Sequence, residues 1–247
     1  MRSSRKREVG KKDKRALKQQ GVVYAAPEET RYVERRVAKP LRPLNQAQHE
    51  YLTSIKNNTI TFGVGPAGVG KTYIAAAYAA ELFQAGDIET LVVTRPNIEA
   101  GESLGFLPGE LEEKFAPYME PFIDVLEERL GKTFVAYLIK RGSIQQKPLG
   151  FMRGKSFNRC LCILDEAQNT TPKQMQMFLT RLGDETSAIV NGDLAQQDIH
   201  GVSGLRDAAN VLRQVNNIGI AYFTREDSVR GAGLTRDILE AYDRCGN

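Results

Sequence analysis

Apolar and β-branched positions in this chain gather in short runs separated by longer stretches in which apolar residues recur at helical spacing. The runs predict strands at 59–64, 90–95, 160–165, 187–191 and 218–223. The periodic stretches predict helices at 45–57, 71–85, 110–130, 172–183, 203–213 and 234–244. Cys160-Leu161-Cys162-Ile163-Leu164 has no polar member, as a strand covered on both faces requires. Strict strand and helix alternation predicts an α/β fold, a mostly parallel sheet with helices on both faces. Residues 97–150 exceed an ordinary crossover, so they read as a helical insertion with one weaker strand near 144–149.

Composition agrees with a core of that size. The 247 residues are 41% apolar and 26% charged, and no apolar stretch approaches the ~18 residues a membrane span needs. Charge is uneven: residues 1–20 carry nine Lys or Arg against Glu8 and Asp13, a local +7, whereas the whole chain carries +4 and the remainder is therefore −3. This arm lacks the apolar core of a signal peptide. Residues 1–38 are expected to be a flexible basic arm that either lies on nucleic-acid phosphates or only solvates the protein, and residues 39–247 the folded domain. Cys160, Cys162 and Cys245 suggest a reducing cytoplasm. In a strand Cys160 and Cys162 share a face, but His49 and His200 lack the spacing to complete a zinc site.

The strongest chemical signal lies between the first predicted strand and the helix after it. Gly65-Pro66-Ala67-Gly68-Val69-Gly70-Lys71-Thr72 fits G-x-x-x-x-G-K-T in the strand-loop-helix context that gives this motif its meaning. Gly65, Gly68 and Gly70 let the backbone turn amide N–H groups toward a phosphate, and the helix N-terminus adds partial positive charge. Lys71 supplies a cation for the β- and γ-phosphates, and Thr72 a hydroxyl for Mg²⁺. An ATP-type nucleotide with Mg²⁺ is the expected ligand.

Two further strand ends carry polar groups. Asp165 and Glu166 follow the apolar run 160–164, at the edge where open α/β sheets bind ligands. Asp165 is expected to serve Mg²⁺, and Glu166 to orient and polarise the attacking water. The competing role for Asp165 is a helix cap, but Thr171-Pro172 already provides a cap and a first-turn proline. Gly192-Asp193-Leu194-Ala195-Gln196 follows the strand at 187–191, so Gln196 or Asp193 would sense the γ-phosphate, unless Gly-Asp is simply a solvated turn.

These motifs resemble the PhoH family of bacteria and their phages. The resemblance is carried by residues 60–72, Val92-Val93-Thr94-Arg95-Pro96, Gly105-Phe106-Leu107-Pro108-Gly109, Phe151-Met152-Arg153-Gly154, Asp165-Glu166-Ala167-Gln168-Asn169-Thr170 and Gly192 to Gln196, within roughly residues 42–245. It implies a RecA-like P-loop ATPase core similar to the first motor domain of superfamily 1 helicases. It further implies that Gln48 reads adenine and Arg230 approaches the γ-phosphate. By spacing alone Gln48 is one polar residue on a surface helix. After Arg230 the chain runs Gly231-Ala232-Gly233, where the family usually has a histidine-proline-like stretch.

The resemblance also implies a cytoplasmic bacterial or phage-encoded ATPase acting on RNA or single-stranded DNA. Arg95, Arg153, Lys140, Arg141 and Lys147 are candidate contacts, and Phe106 and Tyr118 are candidate stacking groups that also suit a core. Room for one RecA-like domain implies a homo-oligomer, with a hexameric ring as the form the resemblance suggests and Arg95, Arg141 or Arg153 supplied in trans. No fused nuclease is expected. A non-catalytic, nucleotide-dependent assembly module is the alternative. A small-molecule kinase fits less well, because no cluster of lid arginines is evident.

Overall fold

The computed structural model of the chain describes residues 22–23, 33–34, 40–96, 111–154 and 156–229, with side chains at 40–96, 119–154 and 156–229. Two-residue strands β1 (Val22–Val23) and β2 (Val33–Glu34) pair antiparallel inside the predicted arm. The domain proper begins with helix α1 (Gln46–Asn57), capped by the Asn45 side chain, which accepts from the Gln48 N–H. Strand β3 (Ile60–Val64) and helix α2 (Lys71–Ala85) flank the glycine-rich loop. Then follow β4 (Thr90–Arg95), α3 (Leu111–Leu130), α4 (Lys132–Lys140), β5 (Ile144–Pro148), β6 (Cys160–Leu164), α5 (Pro172–Leu179), β7 (Ser187–Gly192), α6 (Gly204–Val211) and β8 (Ile218–Tyr222).

Six strands form one sheet in the order β5-β4-β6-β7-β3-β8, and every pairing is parallel. All five predicted strands are present, and the weaker one near 144–149 is the edge strand β5. Burial follows position: β6 is buried throughout, whereas edge strand β8 is only partly covered. Side chains alternate between two cores. Leu91, Val93, Leu161, Ile163 and Ile189 pack with α1 to α4. On the other face Phe62, Val92, Cys162, Leu164 and Val190 pack with Phe178 of α5 and Leu205 of α6. Cys160 and Cys162 share that second face, as their spacing predicts, with their Sγ atoms 3.7 Å apart.

The insertion differs in detail from the expected single helix followed by a strand. Gly131, at φ 89, breaks it into α3 and α4, and Phe122, Leu126 and Leu130 dock α3 onto the α2 side of the sheet. Helix α5 stops at Leu179, before the predicted 183, where Thr180 and Arg181 turn the chain toward Gly183. At its start Thr171 and Gln174 form a capping box with Pro172 in the first turn. The predicted helix at 234–244, Arg230, Phe106 and the side chain of Tyr118 lie outside the described residues.

Candidate functional site

The three polar strand ends converge because β3, β7 and β6 are consecutive neighbours in a parallel sheet, so their C-terminal ends share one edge. They line a cleft of about 640 Å³ together with Gln48, Arg42, Arg95 and Val229. Ala67, Gly68, Gly70, Lys71, Thr72, Asp165, Glu166, Asp193 and Gln196 all border it.

The loop's carbonyls are held from outside. Val229 N–H donates to Gly68 O at 3.0 Å, and Gln48 Nε2 donates to Val69 O at 2.9 Å. The Lys71 ammonium donates to the carbonyls of Gly65 and Pro66 at 2.6 and 2.8 Å. Committing these carbonyls turns the intervening amides toward the cleft, in the manner of an anion-binding nest. Gly70, the residue before α2, sits at φ 91, and a Cβ there would come within 2.6 Å of Gln48 Nε2. Only glycine meets both demands.

Gln48 is thus buried under the loop rather than exposed on a helix, and its Oε1 accepts from Leu44 N–H at 2.9 Å. On the far side Asn45 Nδ2 donates to the carbonyl of Asp227 at 2.9 Å. The entrance to α1 and the segment after β8 therefore close on the loop together.

Acidic groups face this cradle. The Asp165 carboxylate lies at the end of β6 with Oδ1 3.5 Å from Thr72 Oγ1, and its Oδ2 accepts from Arg95 Nη2 at 2.6 Å. Hydroxyl and carboxylate oxygens side by side are the donor set a hard cation prefers, so this pair fits Mg²⁺. Burial raises the Asp165 pKa; Arg95 opposes that shift and Glu166 adds to it. Burial also lowers the Lys71 pKa, against the opposing pull of Asp193, Asp165 and Glu166. The Arg95 guanidinium is engaged within its own chain, on Asp165, and is only 16% exposed. Of the arginines considered for a trans role, Arg141 and Arg153 are exposed.

Glu166 adopts φ 53 and ψ 36, a left-handed conformation that costs a residue with a Cβ roughly 1–2 kcal/mol. It opens the short 3-10 turn Ala167–Asn169. Sequence reasoning passed over four contributors to this region: Arg95 as partner of Asp165, Gln168, the buried Tyr51–Asn191 pair, and the insertion residues Pro121 and Val125 on the cleft wall. The signal for Arg95 was a charge ending a strand whose middle, Leu91-Val92-Val93, is apolar. For Gln168 it was an amide in a segment that must return into the core.

A P-loop on an inner strand, an acidic pair on the next strand but one, and a polar loop on the strand between them define a RecA-like P-loop NTPase. Residues 40–243 match the family described as PhoH-like protein, and the chain belongs to that family. It is 46% identical over 208 residues to a PhoH-like protein of Bacillus subtilis (strain 168), a match covering 83% of this chain and 65% of the relative. It is also 46% identical over 211 residues to Protein PhoH of Escherichia coli (strain K12), covering 84% of this chain and 59% of that one. The chain spans less than two-thirds of the length of these curated relatives.

Among solved structures, it is similar to the large terminase of a thermophilic bacteriophage in complex with ADP. That match has a TM-score of 0.44 and 12% identity, covering 82% of this chain and 50% of that chain. A second is the Pif1 helicase from Candida albicans, with a TM-score of 0.42 and 13% identity, covering 82% and 44%. Among the described residues no helix is long and apolar enough to cross a membrane.

Proposed function

We propose that the chain is a Mg²⁺-dependent ATPase whose turnover is coupled to binding or remodelling RNA or single-stranded DNA. One observation carries the hydrolytic part: Ala67, Gly68, Gly70, Lys71, Thr72, Asp165, Glu166, Asp193 and Gln196, spread over more than a hundred positions, border a single cleft. The loop amides and Lys71 bind the phosphates, and Thr72 with Asp165 would hold Mg²⁺, which would supply charge neutralisation for the triphosphate. Glu166 aligns a water in line with the γ-phosphorus and takes up its proton as the new P–O bond forms. The bond to the β,γ-bridging oxygen breaks, and ADP and inorganic phosphate leave. Gln196 senses the γ-phosphate, Arg230 approaches it, and Gln48 sets the adenine end.

The nucleic-acid part is supported by the +7 arm, which suits a salt-sensitive and sequence-blind attraction to phosphates. A second copy of the chain supplying Arg141 or Arg153 in trans would complete the cleft, as in a ring. Phosphate release tests both parts. The expected results are turnover that needs Mg²⁺, is lost in Glu166→Gln, and rises with single-stranded RNA or DNA unless residues 1–20 are deleted. Binding without turnover in the wild type would instead favour a nucleotide-dependent assembly module.

A further inference from the structure

Between the acidic pair and the polar loop after β7 stands one side chain that neither motif accounts for. Gln168 is buried, 1% exposed, on the turn that follows Glu166. Its Nε2 donates to Glu166 Oε2 at 2.8 Å and to the carbonyl of Gln196 at 3.3 Å. Its Oε1 accepts from the backbone N–H of Asp193 at 2.9 Å. Both amide hydrogens and the carbonyl are thus in use, and each connects a different part of the reaction centre. An amide is the one neutral group of this length that donates twice and accepts once along a single plane.

A second tie lies next to it. Asn169 Nδ2 donates to Asp198 Oδ2 at 3.1 Å, and its Oδ1 accepts from Asp198 N–H at 2.8 Å. The turn 167–169 and the loop 193–198 are therefore joined at two points. Close approach is built in as well: a Cβ on Gly192 would lie 2.7 Å from Gln168 Oε1. A displacement of the Gln196 backbone toward a γ-phosphate is therefore passed to Glu166 through the two hydrogen bonds that the Gln168 amide donates.

We propose that Gln168 is a positioning residue that couples the loop of Asp193 and Gln196 to the Glu166 carboxylate, so that Glu166 is aligned for water activation only when the loop has engaged the γ-phosphate. This rests on the ATPase reading above and names the element that makes turnover conditional on a triphosphate. Gln168 touches neither water nor nucleotide in this role. It acts through the carboxylate it holds.

The test compares Gln168→Glu, Gln168→Leu and Glu166→Gln in the full chain. Gln168→Glu keeps the size and the acceptor for Asp193 N–H, but it removes both donors and sets a like charge against Glu166. A role confined to filling space or to the Asp193 tie is met by that variant; coupling is not. The expected result is a kcat about tenfold to a hundredfold lower in both Gln168 variants with ATP affinity unchanged, while the thermal midpoint falls in Gln168→Glu, where a second carboxylate is buried beside Glu166. Full kcat in Gln168→Glu beside an inactive Glu166→Gln overturns the coupling and leaves the ATPase reading standing. Full turnover in Glu166→Gln removes Glu166 as the water-activating group and this proposal with it, whereas absent turnover in the wild type removes the ATPase reading.

Hydrogen exchange on the wild-type protein decides the matter without any variant. A non-hydrolysable ATP analogue with Mg²⁺, but not ADP, is expected to raise protection at 166–170 and 193–198 together. Protection of one segment without the other overturns the proposal.

Discussion

The two walls of the cleft are built on different principles. On the P-loop side the cleft is bordered by a glycine-rich backbone turn and a helix start, and Lys71 and Thr72 are the side chains with chemistry of their own. On the acidic side nearly everything is side chain on side chain: Asp165 on Arg95, Glu166 on Gln168, Asn169 on Asp198. The first wall owes its shape chiefly to local geometry, and the second to links between residues far apart in sequence. Damage should therefore differ in kind. A change on the first wall removes binding, whereas a change on the second leaves binding in place and alters stability or turnover.

Lys71→Ala is expected to have the largest effect, with ATP turnover falling by several powers of ten, because a charge-assisted contact to developing phosphate charge is lost. Phosphate release measures it, and a binding titration is expected to show ATP affinity falling with it. Arg95→Ala comes next. It leaves a buried carboxylate without its cation and should cost about 3 kcal/mol of stability, read by denaturant unfolding. If unfolding is unchanged, the acidic wall is less dependent on pairing than its geometry indicates.

Tyr51→Phe is a smaller cut at the base of both walls. Tyr51 donates its hydroxyl to Asn191 Oδ1 beneath Gly63, and Asn191 Nδ2 is buried without a partner. Removing that donor leaves the amide wholly unpaired and should cost about 1–2 kcal/mol, measured in the same unfolding experiment.

The mildest probe is pH. Burial lowers the Lys71 pKa, so its charge is lost at a lower pH than for an ordinary lysine. As pH rises through that value the ammonium becomes neutral and ATP affinity falls. Lys71→Arg stays protonated and should lack this alkaline limb in a binding titration across pH.

The same contrast explains how much was legible beforehand. Apolar and β-branched runs gave away the inner strands, β6 most plainly, since a parallel strand covered on both faces is mostly apolar, with Thr61, Thr94 and Asn191 as buried exceptions. The P-loop was legible for a related reason: its function resides in a contiguous stretch whose residue types are dictated by backbone shape. Gln48 was misjudged from spacing, because the loop that buries it lies about twenty residues downstream. Arg95 and Asp165 are seventy residues apart, and only the β4–β6 register brings them together. The split between α3 and α4 hung on Gly131, whose significance depends on what the following residues pack against.

The closure of the α1 entrance and the post-β8 segment over the phosphate loop has a kinetic consequence. Asn45, Gln48, Val69, Asp227 and Val229 must all be in place before the loop acquires its final curvature, and these contacts span more than 180 positions. Contacts of such long separation form late, after the loop-closure entropy has been overcome. Recovery of ATP affinity during refolding should therefore lag behind recovery of helical circular dichroism, so nucleotide capture serves as a built-in report that the chain has finished folding.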